Sequence, residues 1–290
     1  MKMKVGVIGL GNMGSKMAGR LSQLDYTVLG YDINKSTLEN AIESGIIKAS
    51  LKDSALEDVL YYILSLPTEE SITSTLENME WPKSSVIIDM STVNVNFSRK
   101  NHEKLSKKEV SYLDAPVLGM PHQVGNWTIP VGGDQKAFEK AKPVLSSLGR
   151  VVEYMGPSGS GSLIKILNNM ISLSTWATIS EAVVLADKMN VDLKKMYQII
   201  KGSGSGAVSP MLDRILRIAE NDYKNICSVD VNIKDLEAAL KLAEETKTPS
   251  IMISAALNLH LLAHERGYGD LDMDAIVLAY DDFKRKHGGS

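Results

Sequence analysis

A chain of 290 residues, 44% hydrophobic and 23% charged, has the composition of an ordinary globular protein and the length of one large domain or two average ones. Its formal net charge of −3 leaves no cationic footprint for nucleic acid or for an anionic membrane surface. The single cysteine, Cys227, has no partner for an internal disulfide and no apolar run has the length of a signal-peptide core or a membrane span, so a reducing, cytoplasmic setting is expected.

Residues 4–9 (KVGVIG) form a short apolar run that stops on glycine and opens into Gly9-Leu10-Gly11-Asn12-Met13-Gly14. Met13, Met17, Leu21 and Leu24 then recur at helical spacing, and residues 27–31 (TVLGY) read as a second strand ending at Asp32. A lone G-x-G-x-x-G is a weak signal. After a strand, at the start of a helix and with an acid about 20 residues further on, it meets the requirements of a dinucleotide fingerprint. Gly9 permits the tight turn, Gly11 lets backbone approach a pyrophosphate, and Gly14 lets helix settle on strand. The helix N-terminus offers N–H groups and partial positive charge to phosphates. Asp32 can accept from ribose hydroxyls and repels a 2′-phosphate, which favours NAD over NADP. Its alternative duty is to cap the helix starting near Asn34.

Strand-like runs recur at residues 60–66 and 86–89, with helical stretches near 71–79 and 94–105. The alternation predicts a parallel sheet with helices on both faces. Ligands in such sheets bind beyond the carboxyl ends of the strands, so Leu66, Pro67, Ser91 and Thr92 are expected to face the cofactor. For Thr92 a plain cap before Asn94 is an equal alternative. Residues 110–114 and 127–132 read as further strands. The loop between them, from Ala115 through Leu118, Gly119 and Met120 to Gly125, is short of charge and able to present N–H groups to an anionic or carbonyl oxygen. His122 in this loop follows a proline and has no carboxylate nearby in sequence, so it reads as a loop residue rather than a base. Asp134 starts a helix running to Leu148, and residues 151–154 make one more strand.

The stretch 156–169, GPSGSGSLIKILNN, combines an open glycine turn with a helix that carries Lys165 and Asn169 one turn apart on a face crowded with apolar neighbours. Such a lysine either loses part of its hydration and becomes usable as an acid or base, or extends its head to water. Beyond residue 160 strand signals almost vanish. Helical patterns run over 162–188, 192–201, 207–219, 229–245, 251–265 and 273–286, the first long enough to join two domains. Residues 202–206 (GSGSG) are either a lid over the substrate or a linker. Lys234 either reaches a ligand or pairs on the surface with Asp230, four residues back; spacing favours the pair. His260 and His264 share a helix face without a third ligand, so no metal site is expected.

With these pieces in order, the sequence resembles the β-hydroxyacid dehydrogenase family, the group that includes 3-hydroxyisobutyrate dehydrogenase. The resemblance covers nearly the whole chain and rests on GLGNMG at 9–14, DMSTV at 89–93, DAPVLG at 114–119, G-x-x-G-x-G-x-x-x-K-x-x-N-N at 156–169 and KDL at 234–236. It implies an α/β, Rossmann-type doubly wound sheet binding NAD(P) at 1–160. It further implies an all-α substrate and oligomerisation domain at 161–290, a long helix joining the two, a cleft between them, and a homodimer or homotetramer. The implied cofactor residues are Gly9 to Gly14, Asp32, Leu66, Pro67, Thr92 and Lys234. The implied substrate residues are Leu118, Gly119, Met120, Lys165, Asn169 and Lys234, with Lys165 as the catalytic acid–base and Asn169 beside it.

The chain departs from the family in one loop, which usually reads D-A-P-V-S-G-G. Leu118 stands for the serine and Met120 for the second glycine. Leucine donates no hydrogen bond, so a carboxylate there depends on backbone N–H groups and the pocket is expected to be more apolar. The expected reaction is hydride transfer between nicotinamide and a small β-hydroxyacid or related semialdehyde. The alternatives are reduction of a C=N bond on the same scaffold, or an idle NAD-binding module.

Overall fold

A computed structural model describes residues 2–51, 59–203, 213–280 and 283. The chain divides into two compact units, Met1–Lys165 and Ile166–Ser290.

The first unit alternates strand and helix: β1 (Lys4–Ile8), α1 (Asn12–Gln23), β2 (Thr27–Tyr31), α2 (Lys35–Glu43), β3 (Ala49–Ser50), β4 (Tyr61–Leu64), α3 (Glu69–Asn78), β5 (Val86–Asp89), α4 (Val95–Ser106), β6 (Ser111–Asp114), β7 (Trp127–Gly132), α5 (Gln135–Leu148) and β8 (Gly149–Gly156). Among the described residues these strands form one sheet of eight in the order β3-β2-β1-β4-β5-β6-β7-β8. Strands β1 to β6 are parallel. Their order, 3-2-1-4-5-6, is that of two mononucleotide-binding halves meeting at β1 and β4. The central strands are apolar on both faces because helices cover both. Val5 and Val7 of β1 face a cluster with Met17 and Leu21 of α1 and Phe138 and Val144 of α5. Ile8 joins the opposite cluster, with Ile72 and Leu76 of α3 and Leu105 of α4.

The sheet differs from the all-parallel expectation at one edge. β7 runs antiparallel to β6, and β8 is parallel to β7. The segment from β6 to β7 holds one 3₁₀ turn at Pro121–Gln123 and no crossover helix, so the chain returns in the opposite direction. The two-residue strand β3 carries no alternation and was not anticipated. Helix starts follow sequence signals. Asn34 caps α2, Thr68 forms a capping box with Ser71 on α3, Asn94 caps α4 and Asp134 caps α5.

Helix α6 (Ser160–Lys188) begins in the first unit and continues into the second. It is followed by α7 (Leu193–Lys201), α8 (Arg214–Ala219), α9 (Val229–Glu245) and α10 (Ile251–Ala263). Residues 204–206 of the expected lid or linker, 207–212 of the expected helix before α8, and 284–286 at the end of the last one lie outside the described residues. α10 stops two residues early, passing into a π turn at His264–Tyr268 in which Gly267 has φ 86°. Met273–Ala279 is a 3₁₀ helix rather than an α-helix; all seven residues are buried, so no amphipathic period exists there to read. No helix among the described residues is long and apolar enough to cross a membrane.

The second unit buries an ionic knot. Arg214 donates through Nε to Asp274 at 2.6 Å and also pairs with Asp272, while Arg217 lies 3.2 Å from each carboxylate. Both aspartates are fully buried. Asp272 is held below its usual value against its own burial, by the Arg214 charge and by the N–H groups of Ile226 and Cys227. Removing one partner of such a knot strands a buried charge. Arg214→Ala is expected to cost about 3–5 kcal/mol of unfolding free energy, read by denaturant titration. A loss of only about 0–1 kcal/mol, as for a surface pair, would show that the knot holds nothing together.

Candidate active site

Because β1, β2, β4, β5 and β6 are parallel, the loops after them emerge along one edge of the sheet. The glycine loop follows β1. Gly9 has φ 87°, and a Cβ on it would fall onto the Ser65 carbonyl; one on Gly14 would fall onto the Gly9 carbonyl. These two glycines close the turn against its neighbours. Gly11 differs: a Cβ there would meet nothing within 4 Å. Gly11 is the N-cap of α1 and supplies no side-chain cap, so the first N–H groups, at Asn12, Met13 and Gly14, are left for another acceptor. Asp32 ends β2 and turns back on this loop. Its Oδ2 accepts from Leu10 N and its Oδ1 from Asn34 N, both at 2.8 Å. Asn34, not Asp32, caps α2, accepting from Ser36 N and Thr37 N.

Leu66 follows β4 and donates its N–H to Ser91 Oγ at 3.0 Å; Pro67 next to it is exposed. Ser91 N is held by Asp89 Oδ1 at 2.9 Å, and Asp89 Oδ2 accepts from the Tyr112 hydroxyl at 2.6 Å. Thr92 is half-buried at the same turn, and since Asn94 accepts from Asn96 N, the cap reading for Thr92 falls away.

Asp114, at the end of β6, is 1% exposed. Its Oδ1 accepts from Gly159 N and its Oδ2 from Ser162 N, both at 2.8 Å, with the Ser158 hydroxyl at 3.4 Å. One carboxylate thus holds the glycine turn and the first turn of α6. Lys165 lies one turn further on. Its Nζ donates to the Val117 carbonyl at 2.8 Å, on the loop that Asp114 begins. The amine is turned onto a fixed acceptor and not simply extended to water. Its surroundings are less closed than the apolar neighbours predict: Lys165 is half-buried and Ile171 is 64% exposed.

The loop after Val117 is tied to itself. Leu118 N–H donates to Thr128 O at 2.9 Å and Leu118 O accepts from Thr128 N. Met120 N–H donates to Gln123 Oε1, and Met120 O accepts from Trp127 Nε1, both at 2.8 Å. The expectation that backbone N–H groups here remain for a carboxylate is corrected: of residues 118–120, only the exposed Gly119 keeps an N–H outside these bonds. His122 is exposed on the 3₁₀ turn.

Asn169 and Lys234 belong to the second unit. Asn169 is buried, and its Nδ2 donates to Asp235 Oδ2 at 2.6 Å. Lys234 is half-buried on α9. Its expected surface partner Asp230 instead accepts from His264 Nδ1 at 2.7 Å. His260 is fully buried with Nδ1 at 2.8 Å from the Ala256 carbonyl. Among the described residues no cluster of three histidine, cysteine or acidic side chains could hold a metal.

Residues 4–156 match the family model for the NAD-binding domain of 6-phosphogluconate dehydrogenase. Residues 159–280 match the model for the NAD-binding of NADP-dependent 3-hydroxyisobutyrate dehydrogenase. The 2-(hydroxymethyl)glutarate dehydrogenase of Eubacterium barkeri is 30% identical, over 96% of this chain and 95% of that protein. A crystal structure of 3-hydroxyisobutyrate dehydrogenase from Salmonella typhimurium superposes with a TM-score of 0.85 at 25% identity, covering 96% of this chain and 100% of that one. The chain belongs to the β-hydroxyacid dehydrogenase family. An imine reductase from Pseudomonas sp. shares the fold more distantly, with a TM-score of 0.64 at 23% identity over 96% of this chain and 99% of that one.

As a member of this family the protein is an NAD(P)-dependent oxidoreductase acting on CH–OH groups. The glycine loop fits a dinucleotide: an uncapped helix N-terminus, open space above Gly11, and a carboxylate at the end of β2 are the three features its pyrophosphate and ribose require.

Three buried carboxylates that anchor their surroundings were not singled out in the sequence reading: Asp89, Asp114 and Asp235. Each lies in a quoted motif, and the available signal was an acid ending an apolar strand or set inside a buried helix face, which must find donors. Burial raises Asp89 above its usual value, against its bonds from Tyr112 and Ser91; burial likewise raises Asp114, against Gly159 and Ser162. A carboxyl raised on folding binds its proton more tightly in the native state than in the unfolded chain. Its contribution to stability is present below the unfolded value of 3.8 and is lost as pH rises through the raised native value. Asp89→Asn, a neutral isostere, is expected to flatten the fall in thermal midpoint as pH rises above the unfolded value of 3.8. A variant with the wild-type slope would contradict the assignment.

Proposed function

We propose that the enzyme interconverts a small β-hydroxyacid and the corresponding semialdehyde or keto compound, with NAD preferred to NADP, Lys165 as general acid–base and Asn169 donating to the reacting oxygen. The observation that carries the reading is the Lys165 amine, held 2.8 Å from the Val117 carbonyl at the sheet edge where the glycine loop also lies. When bound, the nicotinamide accepts or supplies the hydride. In oxidation the neutral Lys165 amine takes the proton of the substrate hydroxyl; in reduction its ammonium returns one. The Val117 carbonyl accepts one amine hydrogen and limits where the nitrogen can point. Gly9 to Gly14 would hold the pyrophosphate, Asp32 the ribose, and Leu66, Pro67 and Thr92 the nicotinamide side, with Lys234 completing the set. The names of the relatives, which specify a hydroxymethyl-bearing and a hydroxy acid, support the substrate class.

Within that class the loop argues for an apolar neighbour. Leu118 and Met120 bring apolar side chains, and their N–H groups are already engaged. A second carboxylate on the substrate would meet one N–H, from Gly119. The protein is further read as cytoplasmic and as a homodimer or homotetramer; the association is supported by Ile199, Ile251 and Met252, which are exposed in the second unit.

Lys165→Ala is expected to lower kcat by about 10²–10⁴ while NAD still binds, as followed by nicotinamide absorbance and by cofactor titration. Turnover near the wild-type rate would remove Lys165 from the chemistry. In a panel of β-hydroxyacids, those with an apolar substituent are expected to exceed those with a second carboxylate by about 10-fold or more in kcat/KM, with NAD ahead of NADP. Preference for the dicarboxylates would reject the apolar reading of the loop.

A further inference from the structure

The donating amide proposed above has a partner that fixes its orientation. Asn169 on α6 and Asp235 on α9 both belong to the second unit, and they are 8% and 9% exposed. The inward face of α9 is Val229, Asn232, Asp235, Leu236, Ala239 and Ala243. Asp235 sits in the middle of it, where an acid is costly unless it is hydrogen-bonded. Asn169 Nδ2 donates to Asp235 Oδ2 at 2.6 Å, and Asn169 Oδ1 accepts from Asn168 Nδ2 at 3.1 Å.

A primary amide has two ends of nearly equal size and opposite polarity, so a half-turn about its terminal bond exchanges a donor for an acceptor with little change of shape. An ionised carboxylate only accepts. Facing Asp235, Asn169 must therefore present nitrogen, and a charge-assisted bond holds it there about twice as strongly as a neutral one would. With one N–H engaged, the second N–H on the same nitrogen has a single fixed direction. We infer that Asp235 is a positioning residue for the reaction, locking the Asn169 amide in the one orientation that donates to the substrate oxygen. The inference rests on the donor role proposed for Asn169. Asp235 acts through that side chain and does not exchange a proton with the substrate.

The test is a cycle of four proteins, wild type, Asn169→Ala, Asp235→Asn and the double variant, assayed with NAD and the best β-hydroxyacid of the panel above. Asp235→Asn keeps the shape but removes the acceptor-only character, so the amide can flip. It is expected to lower kcat by up to about 10²-fold, the cost of a misplaced group, with KM for NAD unchanged. Asp235→Glu, which still only accepts, is expected to recover part of the loss. In the Asn169→Ala background the Asp235→Asn change is expected to add almost nothing, because residues that act as one unit are not additive. Full additivity, or a silent Asp235→Asn beside an impaired Asn169→Ala, overturns the inference and leaves the role of Asn169 standing. An Asn169→Ala enzyme with wild-type turnover overturns both. Should Asp235→Asn not fold, Asp235→Ser is carried through the same cycle with the same outcomes.

Discussion

The arrangement depends on one buried carboxylate. Asp114 receives Gly159 N and Ser162 N at 2.8 Å each, and hydrogen bonds to a charged group contribute about 1.5–3 kcal/mol apiece. They fasten the start of α6 to the end of β6. The approach is so close that side chains are excluded: a Cβ on Gly161 would fall onto the Asp114 carbonyl, and one on Gly132 would stand 2.7 Å from Asp114 Oδ1. Lys165, one turn after Gly161, then reaches the Val117 carbonyl, three residues after Asp114. Strand end, glycine turn, helix and loop form a closed circuit inside the first unit, and the amine is one of its links.

The same device recurs along the edge. Asp32 turns back to hold Leu10 N, and Asp89 holds Ser91, whose hydroxyl holds Leu66. Each acid lies at the end of a parallel strand and satisfies N–H groups of the loops or helix start beside it, where they would otherwise be orphaned. A loop held this way is preorganised, so a ligand finds its donors in place and little ordering is left to do on binding. The raised pKa values of Asp89 and Asp114 reflect the desolvation that accompanies this rigidity.

Much of this was legible in the residues. β2, β5 and β7 have the bounds their apolar runs suggest, β1 stops one residue short of its run, and the glycine loop announces itself because three glycines at fixed spacing have few other uses. Pairing direction was less legible. Nothing in residues 115–126 states that β7 returns antiparallel; that follows from the missing crossover helix. The buried acids were seen as letters of motifs, but an aspartate on an apolar strand names no partner, and Gly159 and Ser162 lie more than forty residues beyond Asp114. The loop at 118–120 was readable in its side chains and unreadable in its backbone, since whether an N–H is engaged depends on Thr128 and Gln123 folding back. Asp230 chose His264 over Lys234 because α9 packs against the turn after α10, a contact that i, i+4 spacing does not contain.

Backbone amide hydrogen exchange at Gly159 and Ser162, compared between wild type and Asp114→Asn, tests the central claim most directly. Asparagine has the shape of aspartate but one acceptor oxygen, so it can hold only one of the two N–H groups. Both amides are expected to be as protected in the wild type as the interior of α6, and at least one is expected to lose protection in the variant. Equal protection in the two proteins would mean that the start of α6, and the lysine it carries, is held by something other than Asp114.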